Sequence, residues 1–99
     1  MLDKFQELIN DNKPVLIDFF ATWCGPCQAM APVLEQVKDA VGEGARVVKI
    51  DVDKFPQIAQ EYQISSVPTF MIFKNGQSVW RHSGTAPKAE LVRLLQANA

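Results

Sequence analysis

Apolar residues follow two rhythms along this chain, and the changes of rhythm mark its elements. Leu2, Phe5, Leu8 and Ile9 recur at the spacing of one helix face, and Asp3 followed by Gln6 resembles a capping box with aspartate in the serine position. A short first helix is predicted from Asp3 to Asp11. Val15-Leu16-Ile17-Asp18-Phe19-Phe20 is instead a near-continuous apolar run of strand formers. Such a run suits a central strand covered on both faces. Met30, Val33, Leu34, Val37 and Val41 return to helical spacing. They predict a helix from Cys24 to Val41 that stops at Gly42 and kinks at Pro32, which has no N–H to donate and a ring that crowds the preceding turn.

Arg46 to Val52 reads as a second strand, and Asp53 as the cap of a helix running through Tyr62 with Pro56 in its first turn. Thr69 to Phe73 and Gln77 to His82 read as strands joined by Lys74-Asn75-Gly76, where Asn-Gly signals a tight hairpin. Thr85 is expected to cap a last helix that buries Leu91, Leu94 and Leu95 to one side. The order α-β-α-β-α-β-β-α belongs to an α/β protein. Its strand–helix–strand alternation predicts parallel pairing with right-handed crossovers, and the hairpin adds an antiparallel edge. The expectation is one mixed four-stranded sheet with helices on both faces.

Ninety-nine residues, 47% of them apolar, suit a single domain over residues 1–99 with a core of its own. Ten basic and eleven acidic side chains leave a net charge of −1, which gives no electrostatic reason to expect nucleic acid or an anionic membrane as partner. No stretch approaches the roughly 20 apolar residues that span a bilayer. Met1-Leu2-Asp3-Lys4-Phe5-Gln6 lacks the apolar run and small-residue cleavage site of a secretory signal, so the expected location is cytoplasmic. Two cysteines are too few for a disulfide scaffold. Three positions apart, they form a chemical unit.

That unit is Trp23-Cys24-Gly25-Pro26-Cys27, at the junction of the central strand and a helix. Cys24 falls at the helix N-terminus, where unpaired N–H groups and the helix dipole favour negative charge. The thiolate is the attacking species, and a helix start lowers the thiol's pKa from about 8.5. Cys27 lies one turn on, within disulfide reach and further into the protein. Cys24 is expected to attack a substrate disulfide and Cys27 to resolve the mixed disulfide that forms. Pro26 sets a helix-start φ between them. Asp18 stands out on physical grounds: an ionised carboxylate inside a covered strand is costly, burial raises its pKa, and such a group can carry a proton near neutral pH. A CxxC can also be half of a zinc site. Two cysteines and His82 on another strand fall short of zinc's usual ligand count, and no metal is expected. Trp80 is expected to pack on a helix, and Met30 and Phe19 to fill the core.

These residues resemble the thioredoxin family along nearly the whole chain. The matching segments are Asp18-Phe19-Phe20-Ala21-Thr22-Trp23-Cys24-Gly25-Pro26-Cys27, Pro32, Lys49, Val67-Pro68-Thr69, Lys74-Asn75-Gly76 and Gly84, all in order. The resemblance implies the thioredoxin fold and reduction of protein disulfides through a redox-active Cys24–Cys27 pair. It implies no bound cofactor, with electrons arriving from NADPH through a flavin-dependent thioredoxin reductase. By the same resemblance Pro68 follows a cis peptide bond facing the cysteines, and Val67 offers backbone groups to an extended client segment. Trp23, Gly25, Pro26, Val67, Pro68 and Gly84 would form a flat contact surface. Asp18 would lie beneath Cys27 and take its proton, with Lys49 pairing to it from the neighbouring strand; a structural carboxylate and a solvated lysine are the plain alternatives.

The chain departs from the family pattern at three points. It begins at the first helix rather than at a strand, which leaves Arg46 to Val52 as an expected sheet edge and a dimer through that edge as an alternative to a monomer. Gln28 replaces the basic residue usual after the second cysteine, and Phe20 stands where bacterial members often have tryptophan. Two rival readings remain at this stage: a disulfide oxidase or isomerase, against which Gly25-Pro26 argues, and a binding subunit in which redox turnover is incidental.

Overall fold

In the computed structural model, which describes residues 2–99, the apolar run forms the strand predicted for it. Met1, the first residue read for a signal, lies outside the described residues. The run is β1 (Val15–Phe20), and its first five side chains are buried. Strand β2 (Arg46–Asp51) pairs with it in parallel, and β3 (Thr69–Lys74) pairs on its other side. With β4 (Gln77–Ser83) the sheet order is β2-β1-β3-β4, mixed as expected. Asn75 and Gly76 turn the β3–β4 hairpin at φ of 52° and 81°, the left-handed pair that a two-residue turn requires.

One expected pairing is corrected. Strand β3 runs antiparallel to β1, not parallel. Helix α3 (Pro56–Glu61) has six residues. The chain leaves it to enter β3 at Thr69 beside Phe19, at the same end of the sheet where Asp51 finishes opposite Phe20, so β3 runs back along β1.

Helix α2 (Gly25–Val41) has the predicted limits. Cys24 caps it, Pro32 lies inside it on an exposed turn, and Gly42 ends it at φ 55°, giving its N–H to Lys38 O. With α4 (Lys88–Ala97) it covers one face of the sheet, where Leu16, Met30, Leu34, Val37, Phe70, Ile72, Leu91 and Leu95 form the core. Leu94 is half-buried at its margin, as is Trp80, which packs there as expected. On the other face, α1 (Leu2–Ile9) and α3 close over Ile17, Phe19, Met71 and Phe73. The Phe5 ring lies 5.2 Å from Tyr62 and 6.0 Å from Phe73, edge-on to the latter.

The three predicted caps are corrected together. Asp3 lies within the first turn of α1, and Gln6 donates to the Tyr62 hydroxyl at 3.1 Å instead of reaching back. Helix α3 starts after Phe55 with no side-chain cap, and α4 after Pro87 likewise. The turn into α3 is held by Asp51, whose Oδ1 accepts the N–H groups of Asp53 and Lys54 at 2.9 and 3.3 Å.

Candidate redox site

Cys24 takes extended backbone angles, φ −91° and ψ 112°, as the N-cap of a seventeen-residue helix. Its Sγ accepts the Cys27 N–H at 3.2 Å. The position that Ser or Asp fills at an ordinary helix start is thus filled by sulfur, and a thiolate there meets a charge-assisted donor as well as the helix dipole. Cys24 N–H donates to Ala21 O, and Gln28 N–H to Cys24 O. Cys24 and Cys27 are joined as a disulfide with Cα atoms 5.2 Å apart. Both cysteines are buried, Cys24 at 5% and Cys27 at 4% relative exposure, and pack into one cluster with Ala21, Phe20, Val52 and Val67.

Across from the pair, Val67–Pro68 is a cis peptide. The Val67 carbonyl oxygen lies 3.7 Å from Cys24 Sγ, near enough to accept an S–H from the reduced thiol. Among the described residues the Val67 N–H makes no backbone bond. Pro68, like Cys24, is buried. Its carbonyl accepts the N–H of Gly84, which sits at φ 100°. Trp23, Gly25 and Pro26, adjacent to Cys24 in the chain, are exposed, and Val67 and Gly84 are half-buried.

Trp23 is 71% exposed, an unusual state for an indole. Its Nε1–H donates to Asp53 Oδ2 at 2.8 Å. That bond explains why Asp53 does not cap α3, and it adds a residue the sequence reading missed. An acidic residue before Pro56 reads equally well as a cap, and nothing local ties it to an indole thirty positions away. A groove of about 140 Å³ runs from Trp23 to Val67 over Val52, Ile64, Ser65 and Ser66. Gln28 has a partner the sequence did not disclose: its amide Nε2 donates to Thr22 O at 2.9 Å, tying the loop before Cys24 to the first turn of α2.

Asp18 has no exposed surface, and neither carboxyl oxygen has a hydrogen-bond partner among the described residues. Burial pushes its pKa from 3.8 up to about 6, and the Lys49 charge opposes the rise. Lys49 stands directly across from Asp18 in the β1–β2 register. The expected ion pair is not formed: Lys49 Nζ lies over the Phe20 ring, 4.6 Å from its centroid. The long stem lets the ammonium stay hydrated at the surface, whereas joining the carboxylate would strip it of water. His82 is exposed, stacks on Trp80 at 5.7 Å and places Nε2 3.0 Å from Thr85 O. Among the described residues no three His, Cys, Asp or Glu side chains are grouped to hold a metal ion, and no helix is long and apolar enough to cross a membrane.

The thioredoxin family model matches residues 1–97. A "Thioredoxin-like protein slr0233" from Synechocystis is 55% identical over 89 residues, which cover 90% of this chain and 85% of that protein. "Thioredoxin Y, chloroplastic" of Oryza sativa is 48% identical over 94 residues, 94% of this chain, but this chain spans only 56% of that protein's length. A "Bifunctional thioredoxin reductase/thioredoxin" of Mycobacterium leprae is 47% identical over 89 residues, covering 90% of this chain and 19% of that one. Among solved structures, oxidised mitochondrial thioredoxin 3 of Saccharomyces cerevisiae superposes with a TM-score of 0.86 at 40% identity, over 97% of this chain and 89% of that one. A chain from a structural study of thiol resolution in a yeast mitochondrial 1-Cys peroxiredoxin via glutathione/thioredoxin systems gives 0.87 at 38% identity, over 98% and 90%.

Proposed function

The chain belongs to the thioredoxin family of thiol–disulfide oxidoreductases, whose members are protein-disulfide reductases, and from that premise we propose how its residues divide the work. Cys24 is the attacking sulfur. Its thiolate forms a bond to one sulfur of a client disulfide, the client S–S bond breaks, and the departing client thiolate takes up a proton. Cys27 then loses its proton and attacks Cys24 Sγ. The Cys24–Cys27 bond forms as the mixed disulfide breaks, and the second client sulfur leaves as a thiolate and is protonated. Two electrons and two protons pass to the client.

The observation that carries this reading is the Cys27 N–H pointing at Cys24 Sγ at the start of α2. A negative charge is stabilised there by backbone groups alone. Asp18 is proposed to accept the proton of Cys27. The support is its position: Leu16 shares a cluster with Met30 and Leu34 of α2, and Asp18, two residues on and on the same face, lies under the preceding turn. Its raised pKa suits a base that must work near neutrality. Lys49 is proposed to temper that rise from across the strand pair.

The client is proposed to lie as an extended segment against Val67, whose unpaired N–H and carbonyl suit a strand-like partner. Trp23, Gly25, Pro26 and Gly84 would frame the cysteine it presents, with Pro68 holding Gly84 in place. We read residues 1–99 as one such domain, working as a monomer in a reducing compartment; the cytoplasm meets that requirement. Disulfide-bearing client proteins are its partners. Recharging is assigned to a flavin-dependent thioredoxin reductase drawing on NADPH, a proposal supported by the fused reductase and thioredoxin of Mycobacterium leprae.

The test is a trap. Cys27→Ser is expected to leave clients bound to Cys24 through a disulfide, Cys24→Ser to bind none, and both to abolish dithiol turnover. Equal trapping by the Cys24→Ser variant would overturn the assignment. Equilibration of the wild-type pair with glutathione fixes the direction, and a strongly oxidising potential would turn the reductase reading into an oxidase one.

A further inference from the structure

Asp18 and Phe20 are alternate residues of β1 and point to the same face of the sheet. Lys49 stands opposite Asp18 in parallel register and shares that face. The Lys49 ammonium therefore has two destinations within the reach of its stem. One is the Asp18 carboxyl, buried with both oxygens unpartnered. The other is the ring of Phe20, and that is where it lies, 4.6 Å from the centroid. A ring face attracts a cation while leaving much of its hydration intact. The buried carboxylate attracts it more strongly but only after both are desolvated.

We propose that Phe20 is a positioning residue for the resolving step: its ring keeps the Lys49 ammonium off the Asp18 carboxyl, so that this carboxyl retains its affinity for the Cys27 proton. The inference rests on the reading of Asp18 as the proton acceptor. The other groups on this face include Asp51, two residues after Lys49 and opposite Phe20, whose Oδ1 is held by the N–H groups of Asp53 and Lys54, and His82, opposite Phe70 on β4. Helix α2 brings Cys27, and also Glu35 and Lys38, which line a groove of about 290 Å³ with Lys49. Strand β3 brings Phe70 and Ile72, and α4 brings Leu91 and Leu95, none of which titrates. Lys49 is the charged group that acts on Asp18, so its location is what a change at Phe20 alters.

The experiment is a carbon-detected NMR titration of the Asp18 carboxyl in the disulfide form of the full chain. Phe20→Leu, which keeps an apolar filler but no ring, is expected to lower the midpoint by about one unit, the effect of an opposite charge moving close. Phe20→Met repeats the test with different packing. Phe20→Tyr keeps the ring and is expected to titrate with wild type. Lys49→Met is expected to raise the midpoint, and in its background Phe20→Leu is expected to change nothing further. An unshifted midpoint in folded Phe20→Leu and Phe20→Met would overturn the proposal. A shift of equal size in the Lys49→Met background would do so too, because it would trace to packing alone. The titration needs no turnover. A failure here, with Cys27→Ser still trapping clients, sinks only the role of Phe20; an empty trap sinks the broader reading.

Discussion

Replacing Asp18 by asparagine should make the protein more resistant to unfolding at neutral pH than at acid pH, relative to wild type. The folded chain holds the Asp18 proton up to about pH 6, whereas the ordinary carboxyl releases it at 3.8. Between those values the folded state binds more protons than the unfolded one, so wild-type stability falls as pH rises through the window. Below it both states are protonated and nothing is lost; above it the loss is complete. A shift of about two units, at 1.36 kcal/mol each, makes that loss about 3 kcal/mol. Against a total stability of about 5–15 kcal/mol the effect is large.

The asparagine amide is buried without partners as well, at a penalty of about 1–3 kcal/mol, but an amide does not titrate. Its penalty offsets every pH equally and leaves the slope untouched. The assay is urea unfolding of the disulfide form of both proteins at half-unit steps from pH 4 to pH 8. The stability difference, variant minus wild type, should climb by about 2.4 kcal/mol between pH 4 and pH 7 and then stay nearly flat, the remainder of the loss lying below pH 4. A difference that is constant across the range, or that favours wild type as pH rises, would falsify the claim that Asp18 is buried as a carboxyl with raised proton affinity. In the reduced protein the same variant should slow resolution of the mixed disulfide, read by stopped-flow fluorescence, while leaving the first attack by Cys24 intact.

Three further outcomes follow from the geometry. Asp53→Ala removes the partner of an exposed indole, so stability should fall by only about 1 kcal/mol. The indole, freed to rotate, should show lower fluorescence anisotropy in a Trp80→Phe background and a raised KM for protein disulfides. Gly76→Ala places a side chain at φ 81°, where the nearest outside atom, Asn10 Oδ1, is at an unstrained 3.5 Å; backbone strain alone should cost about 1 kcal/mol in urea unfolding. Gln28→Ala should lose about 1 kcal/mol with the bond to Thr22 O, and hydrogen exchange should rise in the Ala21–Cys24 loop with little change in the remainder of α2.

What could be read without coordinates was whatever is decided within a few residues. The ends of α2 follow from Cys24-Gly25-Pro26 and Gly42, and the hairpin from Asn75-Gly76, because each signal acts on the backbone that carries it. Asp3, Asp53 and Thr85 failed as caps for the opposite reason. A carboxylate or hydroxyl near a helix start can serve a cap or a distant donor with similar energy, and tertiary packing chooses between them. Asp53 went to Trp23. The direction of β3 failed because alternation of elements does not say at which end of the sheet the next strand begins.

The two halves of the chemistry differ in the same way. Cys24 is activated by groups that are present: main-chain N–H donors that every helix start supplies, so a cysteine in that position was legible as reactive. Asp18 is activated by groups that are missing. A sequence states which side chains exist, and here it offered Lys49 in the right register to neutralise the carboxylate. Whether a hydrated ammonium gives up its water for a buried anion, or rests on the ring of Phe20, depends on two opposing energies of similar size. Proton affinity at this site is therefore raised by burial and preserved by a contact that does not form, which is why changing an apolar neighbour should move it more than changing a polar residue elsewhere on the surface.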